Sequence, residues 1–259
     1  FFTENATSER ARAAMAADGI DQALWQAFCQ ELGLSGIGIP EAAGGAGLGL
    51  VELAIIAEAA GAQVAALPLL GSLALCAQAI AAGGSAGQQE QYLPGLLSGE
   101  VIGGYVHDAA LKADGDALTG EAGFVAHGGS AGLLVVTSNT GAWLISADAP
   151  GVTVTPLTTM DQTRPFARVT LQGARGEALA DPAAAIAAAH RAGYVTVAAE
   201  GLGVAQAALD RTLAYMGERR AFGKTIDQLQ ALQFRLADLE IELQTARTFL
   251  RQAAWKLDR

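Results

Sequence analysis

The side chains of this chain that could do chemistry are few and scattered. His107, His127 and His190 share no metal-ligand spacing, and no cysteine or carboxylate cluster joins them, so no metal site is expected. No Ser-His-Asp or Cys-His arrangement stands out, and no local carboxylate pair suggests glycosidase chemistry. Cys29 and Cys76 sit in apolar helical patterns and read as buried free thiols. Gly44-Gly45-Ala46-Gly47 lacks the Gly-x-Gly-x-x-Gly spacing and the strand–helix setting of a dinucleotide loop, so it reads as a plain loop. The strongest local concentration is Arg219-Arg220-Ala221-Phe222-Gly223-Lys224. A guanidinium fork suits phosphate oxygens; the plain alternative is a solvated arginine at a helix end.

Composition narrows the classes. At 259 residues with 51% hydrophobic content the chain can build a sizeable core, and a net charge of −10 argues against a nucleic-acid partner. No uninterrupted apolar run reaches membrane-spanning length. Phe1-Phe2-Thr3-Glu4 lacks the basic start and apolar run of a signal peptide, and with two cysteines a cytoplasmic location is expected.

Periodicity divides the chain into an N-terminal helical domain (1–99), a small antiparallel β domain (100–180) and a C-terminal long-helix domain (181–259), an α+β fold with an incomplete bundle. In the first, Leu24, Trp25, Phe28 and Leu32 share one face of a helix over Asp21–Leu34. Further helices are expected over Val51–Ala60, where Gly61 reads as a stop, Leu67–Ala82 and Gly87–Leu97. In the second, Leu133–Thr137 and Ala142–Ile145 flank Ser138-Asn139-Thr140-Gly141 as a hairpin, with further strands at Gly151–Val154 and Ala167–Leu171. In the third, Asp181 is an N-cap and Pro182 a first helical residue, opening a helix of about 55 Å. Gly201 and Gly203 inside it imply a closely packed neighbour. A last helix carries Leu229, Leu232, Leu236, Leu239, Leu243, Ala246, Leu250, Ala253 and Leu257 in steps of three and four, a bundle seam.

Tyr215, Arg219, Phe222-Gly223-Lys224, Gln230, Leu236-Ala237-Asp238 and Ala246-Arg247 together form a pattern similar to that of the acyl-CoA dehydrogenases. Asp21–Trp25, Pro40-Glu41 with Gly44–Gly47, and Asp161-Gln162-Thr163-Arg164 match other stretches of that family in order, so the chain resembles it from end to end. The resemblance implies a flavin adenine dinucleotide (FAD) site between the β domain and the bundle, completed by a neighbouring subunit. It assigns Arg219 to the pyrophosphate of the adjacent subunit's FAD, with Phe222 and Gln230 following by the same alignment; core packing and a polar surface are their alternatives. Phe124-Val125-Ala126 aligns with a flavin segment that normally ends in a hydroxyl, so Phe124 either stacks on the flavin or packs in the core, and Ala126 cannot donate.

The same resemblance exposes departures. Family members remove the substrate's α-proton with a glutamate of raised pKa. Most carry it in a C-terminal stretch with no counterpart here; others carry it on the first long helix, where Gly193 stands, and the arginine that some use near the substrate aligns with Tyr194. Glu200 lies seven residues beyond Gly193 and reads as a hydrogen-bonded bundle residue in preference to a base. Gly103–Asp108 lacks the Thr/Ser-Glu-Pro and Gly-Ser pattern of the family's first β strand. The catalytic residue is therefore unknown from sequence. The expectation is a flavoprotein subunit for α,β-desaturation of an acyl-CoA, bulky or steroid-derived, in a hetero-oligomer whose partner supplies the base, with an electron-transferring flavoprotein as acceptor. The alternatives are a self-contained homomeric enzyme whose base lies in a further C-terminal part, a structural subunit without cofactor, and an oxidase or monooxygenase relative.

Overall fold

The computed structural model describes residues 1–108 and 110–259. Six helices come first: α1 Phe2–Asn5, α2 Ser8–Met15, α3 Gln22–Gln26, α4 Leu50–Ala62, α5 Gln78–Gly83 and α6 Ala86–Leu97. Eight strands follow: β1 Gly103–His107, β2 Lys112–Asp114, β3 Ala117–Ala126, β4 Leu133–Ser138, β5 Gly141–Ser146, β6 Val152–Pro156, β7 Phe166–Arg175 and β8 Glu177–Ala178. Then α7 spans Pro182–Glu218, a short β9 Arg220–Ala221 and β10 Lys224–Thr225 make the turn, and α8 spans Gln230–Leu257.

The N-terminal helices are set by caps and one aromatic stack. Asp21 accepts the Leu24 N–H at 3.0 Å and is gripped by Arg10 Nε at 2.6 Å, which holds its carboxyl below the usual range. Trp25 and Phe28 are fully buried and stack at 5.8 Å, and the Trp25 indole donates to the Gly99 carbonyl at 3.1 Å. The expected fourth member of that face, Leu32, is exposed. Past Gln26 the chain widens into a π-helical turn over Ala27–Glu31 and ends before Gly33 in a left-handed conformation, so the 3.6 period no longer applies there. A second π-helical stretch, Leu69–Ala77, leads into α5. Both cysteines are buried and unpaired, and burial pushes each thiol up to about 12, which makes them inert to thiolate chemistry.

The strands form two four-stranded sheets, ordered β1-β4-β5-β8 and β2-β3-β7-β6, packed face to face as a sandwich. All pairings are antiparallel except β1 with β4, which run parallel and correct the expectation of a purely antiparallel domain. The β4–β5 hairpin turns at Asn139-Thr140, as its residues require. Every residue of β4 is buried, because sheet β1-β4-β5-β8 has the second sheet on one face and helices on the other. Ala185 and Ala189 of α7, with Ile80, Leu93 and Leu96, cover that helical face.

Asp181 accepts the Ala184 N–H at 3.0 Å and Pro182 begins α7, as expected. Gly61 does not stop α4, which continues to Ala62. It is a contact glycine: a Cβ there would lie 2.3 Å from the Glu200 carbonyl oxygen of α7. Gly203 is its counterpart, where a Cβ would lie 1.9 Å from the Glu58 carbonyl oxygen, whereas Gly201 faces open space. The bundle is tied by Glu58 of α4, whose carboxylate takes Arg247 Nε of α8 at 2.6 Å, while Arg247 Nη2 donates to Gln206 of α7 at 2.8 Å. At the other end Asp258 accepts the Leu50 N–H at 2.9 Å, capping α4.

Candidate functional site

Arg219, Phe222 and Gln230 gather at the α7–α8 connection. Arg219 ends α7, is exposed, and makes no ion pair among the described residues. β9 and β10 pair through a two-residue loop, with Ala221 opposite Lys224. Phe222 has φ +54° and Gly223 φ +78°, the two left-handed residues of a type I′ turn. That turn holds the Phe222 ring in solvent, 91% exposed, so it is not a core residue. Gln230 opens α8 and is also exposed, so its side chain serves no packing role.

Phe124 stands elsewhere, on β3. It is 77% exposed, which excludes simple core packing, and its ring meets Phe166 of β7 edge-to-face at 6.2 Å. No hydrogen bond or aromatic contact among the described residues joins Phe124 to Arg219, Phe222 or Gln230. Ala126 is buried and pairs with Phe166 in register.

At Gly193 a Cβ would meet only the end of the Leu75 side chain, with Cδ2 at 2.6 Å. Tyr194 is exposed and tilts over His190 at 6.1 Å. His190 also meets His107 at 5.9 Å and Tyr105 at 6.2 Å, while His107 Nδ1 and the Tyr105 hydroxyl both contact Thr137 Oγ1. Burial, then the neighbouring His107, holds the His190 pKa below its ordinary value. Sequence reasoning missed this β1–α7 cluster, because its members are far apart in the chain and share no motif.

Glu200 is bonded to Arg164, the last residue of the Asp161–Arg164 stretch, as a hydrogen-bonded polar residue of the bundle. Burial raises the Glu200 pKa and Arg164 pulls it back. The pair floors a cavity of about 290 Å³ with Gly61, Val64, Leu67, Val197 and Val204 on its walls. A larger cavity of about 400 Å³ lies between Met15–Gly19 and the segment 156–166.

His127, at the end of β3, is buried with both ring nitrogens unpartnered, and its pKa is pushed down to about 3 by burial, with Arg164 adding to the effect. Since the folded pKa lies below the ordinary 6.5, the unfolded chain takes up the proton first, and stability present above pH 6.5 is lost as pH falls towards 3. His127→Asn, which tolerates the left-handed φ of +54°, is expected to flatten this acid loss, by up to roughly 1.4 kcal/mol per pH unit. An equal loss of unfolding free energy between pH 7 and pH 5 in both proteins, measured by urea denaturation, would refute it.

Residues 1–100 match the family model for the acyl-CoA dehydrogenase N-terminal domain, and 183–259 match that for the C-terminal domain. The acyl-CoA dehydrogenase IpdE2 of Mycobacterium tuberculosis is 34% identical over 93% of this chain and 68% of its own length. The chain belongs to the acyl-CoA dehydrogenase family. Members are FAD-dependent oxidoreductases acting on CH–CH groups. Among solved structures, a Tcur3481-Tcur3483 steroid acyl-CoA dehydrogenase variant superposes with a TM-score of 0.86 at 36% identity, covering 97% of this chain and 73% of that one. The ChsE4-ChsE5 complex of Mycobacterium tuberculosis does so with a TM-score of 0.83 at 26% identity, covering 97% and 78%. No helix among the described residues is long and apolar enough to cross a membrane.

Proposed function

We propose that this acyl-CoA dehydrogenase chain is a cytoplasmic FAD-binding subunit of a hetero-oligomer that desaturates an acyl-CoA thioester between Cα and Cβ, with a related subunit supplying the catalytic base. The carrying observation is that the family's alternative base position holds Gly193, and that Glu200, seven residues further along the same helix, is committed to Arg164. Burial leaves the Glu200 pKa raised even with Arg164 pulling it back, so what speaks against it as the base is that Arg164 occupies its oxygen lone pairs.

Bound FAD supplies the hydride acceptor of the reaction. The chain's own residues suit parts of it. Phe124 offers an uncovered ring face for a planar heterocycle, and Arg219 an unpaired guanidinium for a pyrophosphate. Phe222 and Gln230 flank Arg219 on the same connection. The lack of a direct contact between them and Phe124 among the described residues fits two half-sites, one serving this chain's own cofactor and one reaching a neighbour's. Ala126 leaves the flavin one hydroxyl hydrogen bond short on this chain, which supports reliance on a partner. The two solved relatives named for paired gene products, one of them a steroid enzyme, support a heteromer and a bulky thioester. An electron-transferring flavoprotein is the acceptor in this reading.

The test is the flavin-to-protein ratio by visible absorbance. The chain expressed alone is expected to be soluble and colourless, and to turn yellow on co-expression with its partner. Arg219→Ala is expected to lower flavin content of the complex at least about tenfold, the scale of losing one desolvated charge-assisted contact. One flavin per chain when expressed alone would favour a homomeric enzyme, and unchanged flavin in Arg219→Ala would remove the role given to that residue.

A further inference from the structure

The segment 157–165 joins β6 to β7 of the same sheet without regular structure and reaches α7 on the way, and both cavities are built on it. Its Asp161 accepts from Thr163 within the segment. Among the described residues, its only side-chain hydrogen bond to another element is that of Arg164 to Glu200 on α7. Glu200 is a fixed post, because Gly61 of α4 is pressed against its backbone.

From Arg164 the chain runs directly to the aromatic wall of β3. Pro165 follows; its ring lies where a Cβ on Gly19 would be 2.5 Å away, and its carbonyl accepts the His127 N–H at 2.8 Å. Phe166 comes next, opens β7, pairs with Ala126, and sets its ring edge-to-face on Phe124. Only two peptide units separate Arg164 from Phe166, so a displacement of the guanidinium is passed on through stiff backbone. An ion pair between partly buried groups is directional where an apolar contact would slide.

We propose that the Arg164–Glu200 pair is a positioning contact that sets the stance of Phe166 and Phe124 relative to α7, and with it the presentation of the Phe124 ring to a flavin. The cofactor half of this rests on the proposed function above; the coupling half does not.

Two readouts on the purified complex separate these halves. Amide hydrogen exchange reports the coupling. Arg164→Met is expected to speed exchange at His127, whose N–H bonds Pro165, by about tenfold, while Val135 and Leu144 in the other sheet stay unchanged. Arg164→Lys is expected to recover most of the protection, and Glu200→Gln, which keeps a hydrogen-bond acceptor, to lose less than Arg164→Met. The visible band of the bound flavin, normalised per flavin, reports presentation: Arg164→Met is expected to shift it in the same direction as Phe124→Ala, and Arg164→Lys to restore it. A simple loss of stability lowers the melting temperature without moving the band. Wild-type exchange at His127 in folded Arg164→Met overturns the coupling. A band indifferent to Phe124→Ala overturns the assignment of Phe124 to the flavin, and the exchange result then decides the coupling alone.

Discussion

Gly203→Val is expected to destabilise the chain by about 3 kcal/mol, because a side chain there must displace backbone and not the free end of a flexible neighbour. A Cβ at this position would sit 1.9 Å from the Glu58 carbonyl oxygen and 2.7 Å from the Ala62 amide nitrogen. Helices α4 and α7 would have to separate along their closest contact, opening voids beside Ala57, Ala60 and Ala199, all buried. Gly201→Ala, two residues earlier on the same helix, is the control. Nothing lies within 4 Å of its Cβ position, so it should stabilise by up to about 1 kcal/mol through helix propensity. The melting temperature is expected to fall by roughly 6–12 °C in the first and to rise by a few degrees in the second. Equal effects of the two substitutions would mean that the glycine contact does not set the helix spacing.

Glu58→Ala should be comparably severe, by about 3 kcal/mol, for a different reason. It leaves Arg247 largely buried with its strongest acceptor removed, and Gln206 alone cannot compensate the charge. Replacing both Glu58 and Arg247 with methionine removes the charges together and should cost less than the single change, since neither side is then stranded. Urea denaturation of the three proteins decides this; a double variant weaker than Glu58→Ala would show the pair to be a net source of stability. Because Gly203 packs on the Glu58 carbonyl, Gly203→Val and Glu58→Ala are expected to combine non-additively.

Much of the architecture was legible in the sequence because its signals are local. Asp181-Pro182 starts a helix through its own side chain and ring, and Ser138–Gly141 turns a hairpin within four residues. Contacts between distant segments were not legible. Gly61 read as a stop because a glycine has two uses, and only the proximity of Glu200 tells them apart. The α8 seam was right at Leu229, Leu236, Leu239, Leu243 and Leu250, which are partly or fully buried, and wrong at Leu232, Ala246, Ala253 and Leu257, which are exposed while Arg247 and Ala254 turn inward. A straight helix drifts off a strict seven-residue repeat, so a sequence seam and a packing seam part company over its length. The parallel β1–β4 pair has no turn to announce it. The site was legible in part. Arg219, Phe222 and Gln230 came from one contiguous motif and share one corner of the fold, whereas the partners that fix Glu200 and Phe124, namely Arg164 and Phe166, lie 36 and 42 residues from them in the chain.

The type I′ turn at Phe222-Gly223 has a consequence for molecular recognition. A benzyl side chain on a left-handed residue is held against local preference, so Phe222→Asn should make the isolated chain slightly more stable. The ring is thus delivered on a stiff tip, already stripped of most of the freedom a loop would lose on docking. Whatever surface covers it meets a template and not a flexible arm, and selects by shape at small entropic cost.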